Sequence, residues 1–241
     1  MRPETLVATP YQVAANRLDL VGRLADDLAH EVKNPLHSMT INLELLRRRL
    51  ASGQSEAALD RIRVLEKDVM RLNQVLEPLF QLLRPGASGP ECFELDTAVE
   101  ELLPLIAVLA PLSRVSVDRV PAGSGALIVM HRLAFRHALL NIVDNALTAL
   151  KPDGGHLVLQ GTIAHDEVQL RVRDTGPGIP AEHVLRLGTP GFSTWPNRSG
   201  LGLAVARSLL EEVGGRIEFE PPPDHEGGAV FLLAWPRAPG A

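Results

Sequence analysis

Two apolar seams with heptad spacing constrain the first third of this 241-residue chain. In the first, Leu18, Val21, Ala25, Leu28 and Val32 recur at alternating steps of three and four, the mark of a coiled-coil-like helix. The seam slips by one residue after Val32 and continues through Leu36, Met39, Leu43, Leu46 and Leu50. Pro35 stands at the slip, where it must remove a helical hydrogen bond and bend the axis. After the turn ASGQS at 51–55, a second seam runs Leu59, Ile62, Leu65, Val69, Leu72, Leu76, Leu79, Leu83. The spacing predicts a long helix over about 12–50, then a second helix, together an α-helical hairpin. One hairpin covers too little apolar surface, so the expected assembly is a homodimer closing a four-helix bundle. Residues 1–11, with Pro3, Pro10 and no periodicity, read as a flexible N-terminus.

Within the first seam, LAHEVKNPL at 28–36 sets His30 beside Glu31, with Asn34 four residues on. With Leu28 at a d position, His30 falls on f, Glu31 on g and Asn34 on c, all outside the seam. Exposed helical histidines are ordinarily inert. A carboxylate next to an imidazole, however, orients a nucleophile and can take its proton. A proline inside a strong helix also costs roughly 3 kcal/mol, which calls for a reason. His37 has no acidic neighbour and reads as surface.

Composition narrows the class. Aromatics make up only 4%, so a core drawn from the 45% hydrophobic content must be Leu, Val, Ile and Ala. A net charge of −5 argues against a nucleic-acid surface. Cys92, the single cysteine, allows no internal disulfide and reads as a buried or half-buried structural residue. No apolar run approaches the ~20 residues of a membrane span. The first residues lack the layout of a signal peptide. A cytoplasmic location is expected.

RPGASGP at 84–90 reads as a linker, which divides the chain into a hairpin at 12–84, a linker at 85–91 and a second domain at 92–238. CFEL is strand-like, with Asp96 a candidate cap for a helix to about Leu109. SVDRV and ALIVM are short strands, and Arg132–Leu150 is a helix with apolar residues Leu139, Ile142, Val143, Ala146 and Leu150 on one face. HLVLQGTIA and EVQLRVRD alternate as a hairpin after the turn PDGG. A helix over 200–213 and the pair RIEFE and GAVFLLAWP complete an α/β sandwich, helices on one face of a sheet.

Three stretches of this second domain suit a nucleotide. In NIVDNAL, Asn141 and Asn145 share a helical face opposite the apolar residues. A neutral amide oxygen completes a Mg2+ shell of phosphate oxygens and water without repelling the phosphates. In DTGPGIP, Asp174 ends a strand, where it can accept from an exocyclic amine, and Gly176 and Gly178 permit close approach of a ligand. In SGLGLAVA, glycines open a helix whose free N–H groups suit phosphate. GTPGFSTWPNR before it reads as a mobile lid, with Arg198 in reach of a phosphate.

Taken in order, these stretches resemble the transmitter core of bacterial sensor histidine kinases. HEVKNPL is similar to the H box, NIVDNAL to the N box, DTGPGI to the first glycine box, GFST to the F box and GLGLAVA to the second glycine box. The resemblance spans about residues 18–236, and the wording is most like the nitrogen-regulation and oxygen-sensing branch. It implies a dimerisation and phosphotransfer hairpin followed by a Bergerat-fold (GHKL) ATP-binding domain. It implies His30 as phosphoacceptor, Glu31 as general base and Asn34 as a residue that positions water for dephosphorylating a response regulator. Asn145 would hold Mg2+, Asn141 would lie on the phosphate side and Asp174 would read adenine. Gly176, Gly178, Thr194, Arg198, Gly200, Leu201 and Gly202 would complete the ATP site. Implied partners are a second copy and a receiver domain.

Two departures stand out. Thr148 occupies a position where many relatives carry Lys or Arg, and Trp195 follows Thr194 where many carry Lys. Both remove positive charge near a triphosphate, which bears on ATP affinity and on the balance of kinase and phosphatase activity. Residues 1–11 are too few for a sensor region, so the input comes from a separate protein, or the chain is a fragment or a stand-alone kinase. Two rival readings are a non-catalytic phosphotransfer scaffold with a degenerate ATP domain, and another ATPase of the same nucleotide fold. The intact Asn145, Asp174 and glycine boxes oppose the first; an exposed HExxN motif on a hairpin opposes the second.

Overall fold

A computed structural model describes residues 8–83, 89–112, 114–196, 198–220 and 227–238. The side chains of His30, Glu31, Gln74, Val75, Pro78, Leu79, Gln81, Leu82, Leu83, Pro111 and Leu112 lie outside the description. So does most of the expected linker, at 84–88.

Helix α1 spans Pro10–Ala51, 42 residues, and runs unbroken through Pro35. It begins earlier than its periodicity predicts, because Thr9 and Gln12 form a capping box and Pro10 takes the first turn, where no N–H is needed. Gly53, at φ +73°, turns the chain into α2, Ser55–Leu83. In α1 the fully buried leucines are Leu20, Leu24 and Leu28, whereas Leu18 and Ala25 of the predicted seam are exposed. Leu28 alone is common to both stripes. The reason is tertiary: Leu20, Leu24 and Leu28 belong to the core cluster of the α/β domain, so the N-terminal half of α1 is docked on that domain.

The domain itself follows the predicted order. Strands are β1 (Glu91–Glu94), β2 (Val115–Val120), β3 (Leu127–Met130), β4 (Gly155–Ala164), β5 (Glu167–Asp174), β6 (Arg216–Glu220) and β7 (Ala229–Pro236). Helices are α3 (Leu95–Glu100), α4 (Leu103–Leu112), α5 (Arg132–Leu150), α6 (Ala181–Val184) and α7 (Gly202–Glu211). Five strands form one mixed sheet in the order β2-β4-β5-β7-β6, with β2 and β4 parallel and the other pairs antiparallel. β1 and β3 form a separate antiparallel pair.

Two local expectations fail here. The helix predicted from Asp96 to about Leu109 is two helices, since Pro104 in the first turn of α4 cannot donate to a preceding turn. Asp96 is not its cap: the carboxylate accepts from the N–H groups of Ala122 and Gly123 and pairs with Arg119. Cys92 is exposed, not buried, because the core-facing residue of the short β1 is Phe93.

Helix α5 is buried nearly all round. One side packs on the sheet, another packs on α7, and side chains of α1 reach a third. His137, Asn141, Asp144 and Thr148, at helical spacing, make the polar stripe that meets α1 and the loop before α7.

Candidate functional site

The cleft lies between β5, α5, the loop before α7, and α1. Period-two alternation in β5 buries Val168, Leu170, Val172 and Asp174 on the helix-facing side, so the last of these is a carboxylate at the strand end. Asp174 Oδ1 accepts from the N–H groups of Gly176, at 2.9 Å, and Ala229, at 3.3 Å. Both bonds fall on Oδ1, and Asp174 lines the cleft. Burial pushes the Asp174 carboxyl up from its ordinary range, and the two N–H groups offset part of that.

Asn145 projects from α5 into the same cleft, with Ala146 and Ala149 beside it. Gly178, Thr194, Arg198, Gly200 and Gly202 also line it, together with Phe192 and Trp195. Its empty volume is about 1010 Å³, part of it open solvent. Gly176 sits just behind, against Asp174 and Ala149. Leu201 is half-buried and packs on the core without lining the cleft.

The loop before α7 is closed at its base by a hydrogen bond from the Gly191 N–H to the Gly200 carbonyl, 3.1 Å. Gly200 is required there: its φ is +67°, and a Cβ would meet backbone atoms of Gly191 and Phe192 at 2.6–2.7 Å. Phe192 is held between the His183 ring and the Arg186 guanidinium, the latter 4.1 Å from its centroid.

Asn141 departs from expectation. It is buried and does not line the cleft. Its amide donates to Asn16 Oδ1 at 2.9 Å and to the His137 carbonyl at 2.9 Å. Asn16 Oδ1 also lies 2.8 Å from His137 Nε2, which as the donor fixes that tautomer. Asn141 Oδ1 has no partner and faces Gly202, where an added Cβ would approach it to 2.9 Å.

Residues that sequence reasoning passed over complete the cleft. Arg23 of α1 lines it. Asp144, whose side chain is 6% exposed, takes two guanidinium groups. Arg23 Nη2 reaches its Oδ2 at 3.0 Å, and Arg198 binds both of its oxygens. Arg198 also donates to the Thr148 hydroxyl. A cation thus lies at position 148 after all, contributed by Arg198 and paired with Asp144. A readable signal was the polar stripe 137-141-144-148, too hydrophilic for a face packed on a sheet yet mostly buried.

The stretch HEVKNPL is carried on α1. Asn34 is exposed on α1, as is His37. Positions 30 and 31 are helical, and their side chains lie outside the described residues. Among the described residues no group of three His, Cys, Asp or Glu forms a metal site. Asn145, which lines the cleft, carries a neutral amide oxygen that could share a Mg2+ ion with phosphate oxygens and water.

Residues 20–88 match the His Kinase A (phospho-acceptor) domain family, and residues 130–239 match the histidine kinase-, DNA gyrase B- and HSP90-like ATPase family. The chain belongs to the sensor histidine kinases. Sensor histidine kinase ZraS of Klebsiella oxytoca is 30% identical over 222 residues, covering 91% of this chain and 47% of ZraS. Sensor protein FixL of Bradyrhizobium diazoefficiens is 30% identical over 235 residues, 94% of this chain and 45% of FixL. The chain spans about half the length of these curated histidine kinases. The solved catalytic domain of histidine kinase ThkA, a nucleotide-free form, superposes with a TM-score of 0.56 at 25% identity, over 63% of this chain and all of that one. As in a transmitter core, a helical hairpin precedes a GHKL-type α/β domain, and no helix among the described residues is long and apolar enough to cross a membrane.

Proposed function

We propose that this chain binds Mg-ATP in the cleft and transfers its γ-phosphoryl group to His30, and then to an aspartate of a response-regulator receiver domain. The observation that carries this reading is the cleft's position. Asp174, Asn145 and the glycine-bounded loop open onto α1, the helix that bears HEVKNPL. Asp174 offers a buried acceptor to the adenine amine. Asn145 offers a neutral oxygen to Mg2+, which when bound would neutralise the phosphates. The imidazole of His30 forms the N–P bond as the bond from phosphorus to the ADP oxygen breaks, and Glu31 takes the imidazole proton. Such transfer depends on positioning and electrostatics.

Asn34, exposed on α1, is placed to orient water when a receiver docks there, which supports a phosphatase role as well. Leu36, Leu43 and Leu50, spaced by seven, are 47%, 50% and 58% exposed in the single chain. That row supports a homodimer in which a second hairpin covers it. In this reading 12–84 is the dimerisation and phosphotransfer unit and 92–238 the ATP-binding unit. A receiver partner is also supported by the solved complex of histidine kinase ThkA with response regulator protein TrrA, a chain of the same fold at 23% identity.

The test is acid-labile phosphate from γ-labelled ATP. Wild type should accumulate it and His30→Gln should not. Retention of label by His30→Gln would remove His30 as the acceptor.

A further inference from the structure

The sequence motifs leave out a residue of the cleft that, alone among the described residues, comes from the phosphoacceptor helix. Arg23 lies on α1 and lines the cleft beside Arg198, Asn145 and Gly202. Its guanidinium binds Asp144 through Nε, at 3.3 Å, and Nη2, at 3.0 Å, and binds Asp19 through Nη1. Arg198 reaches the same Asp144 from the loop side, through Nη1 and Nη2.

One buried carboxylate therefore orients two arginines. Each guanidinium has five N–H donors, and the bonds above leave some of them free on both. The other carboxylate on Arg23, Asp19, is 40% exposed, so water already solvates part of its charge. Two guanidinium groups on one carboxylate, both lining the cleft and both with donors left over, suit the oxygens of phosphate groups. Asp144 keeps the pair rigid before the ligand arrives, which lowers the ordering cost of binding.

We propose that Arg23 is a nucleotide-binding residue: α1 contributes it to the phosphate end of the chain's own cleft, jointly with Arg198. This rests on the ATP reading above and adds a residue to it. Seven residues separate Arg23 from position 30, two helical turns or about 10 Å along the axis. A nucleotide gripped by Arg23 is thus held on the right helix, one short slide from the acceptor.

The test compares Mg-ATP and adenosine binding by calorimetry, with the full chain. Wild type must bind Mg-ATP at millimolar levels or tighter; if it does not, the ATP reading fails before Arg23 is tested. Arg23→Gln should weaken Mg-ATP about tenfold, the loss of a charge-assisted bond, and leave adenosine within twofold. Lys151→Gln removes the exposed Lys151–Asp27 pair, another link between α1 and α5, at 3.1 Å, and serves as the control for docking alone. It should leave both ligands unchanged. Arg23→Met keeps the aliphatic stem and replaces the Gln variant if that one fails to fold. Unchanged Mg-ATP affinity in the Arg23 variant, or an equal loss for Mg-ATP and adenosine, overturns the proposal.

Discussion

Asn16 and Asn141, 125 residues apart in sequence, are joined by a 2.9 Å hydrogen bond that ties the helix bearing the H box to the helix bearing the N box. Both side chains are fully buried, and His137 shares the Asn16 oxygen. Replacing Asn16 with Leu strands two donors in the interface. The expected cost is about 1–3 kcal/mol, the penalty for a buried polar group left unmade. Urea denaturation should show a lower midpoint with an unchanged slope.

His137 makes this interface pH-sensitive. Burial, with the charge of Arg17 adding to it, lowers its pKa from 6.5 to about 4. The unfolded chain therefore takes up a proton near pH 6.5 while the folded one does not. Stability present above pH 6.5 is lost as pH falls toward 4, then levels off; for a shift of this size the loss is about 3 kcal/mol. Denaturation curves at several pH values should show this slope, and His137→Gln should flatten it.

Asp174→Asn removes the anionic acceptor while keeping its size. The new amide can present an N–H to the adenine amine, so donor faces donor. Mg-ATP affinity should drop ~10–100-fold, the worth of one charged hydrogen bond. Because burial raises the Asp174 pKa, wild-type affinity should also begin to fall at a higher pH than for an ordinary carboxylate. Calorimetric titrations at stepped pH would read both effects.

Gly200→Ala and Gly202→Ala should differ in severity. At 200 the backbone is left-handed and the new methyl meets main-chain atoms at 2.6–2.7 Å. At 202 the methyl meets the Asn141 side-chain oxygen at 2.9 Å, and that side chain can yield only by straining its hydrogen bonds to Asn16 and His137, a smaller demand than moving main chain. Strain at 200 should cost about 1–3 kcal/mol and abolish nucleotide binding, whereas the change at 202 should weaken it partially. Melting temperatures with and without Mg-ATP separate the two.

Leu43→Glu places a charge in the middle of the exposed row Leu36, Leu43, Leu50. If that row is the dimer seam, the variant should sediment as a monomer and keep the nucleotide affinity of wild type. Multi-angle light scattering reads the mass directly.

Local spacing determined much of this protein. Heptad steps set the hairpin, period-two alternation put Asp174 on the inner face of β5, and glycines marked the loop that must turn sharply at Gly200. Each of these rests on residues within a few positions of one another. What only the tertiary structure decided is which face of α1 is buried and where the charges converge. Leu20, Leu24 and Leu28 turn inward because the α/β domain offers them a partner, and that rotation moved the seam away from Leu18 and Ala25. The same docking carries Arg23 to Asp144, 121 residues away, and Arg198 to Thr148, 50 residues away. No spacing rule reaches that far: such contacts depend on burial summed over whole elements, and they exist only once those elements are folded against one another.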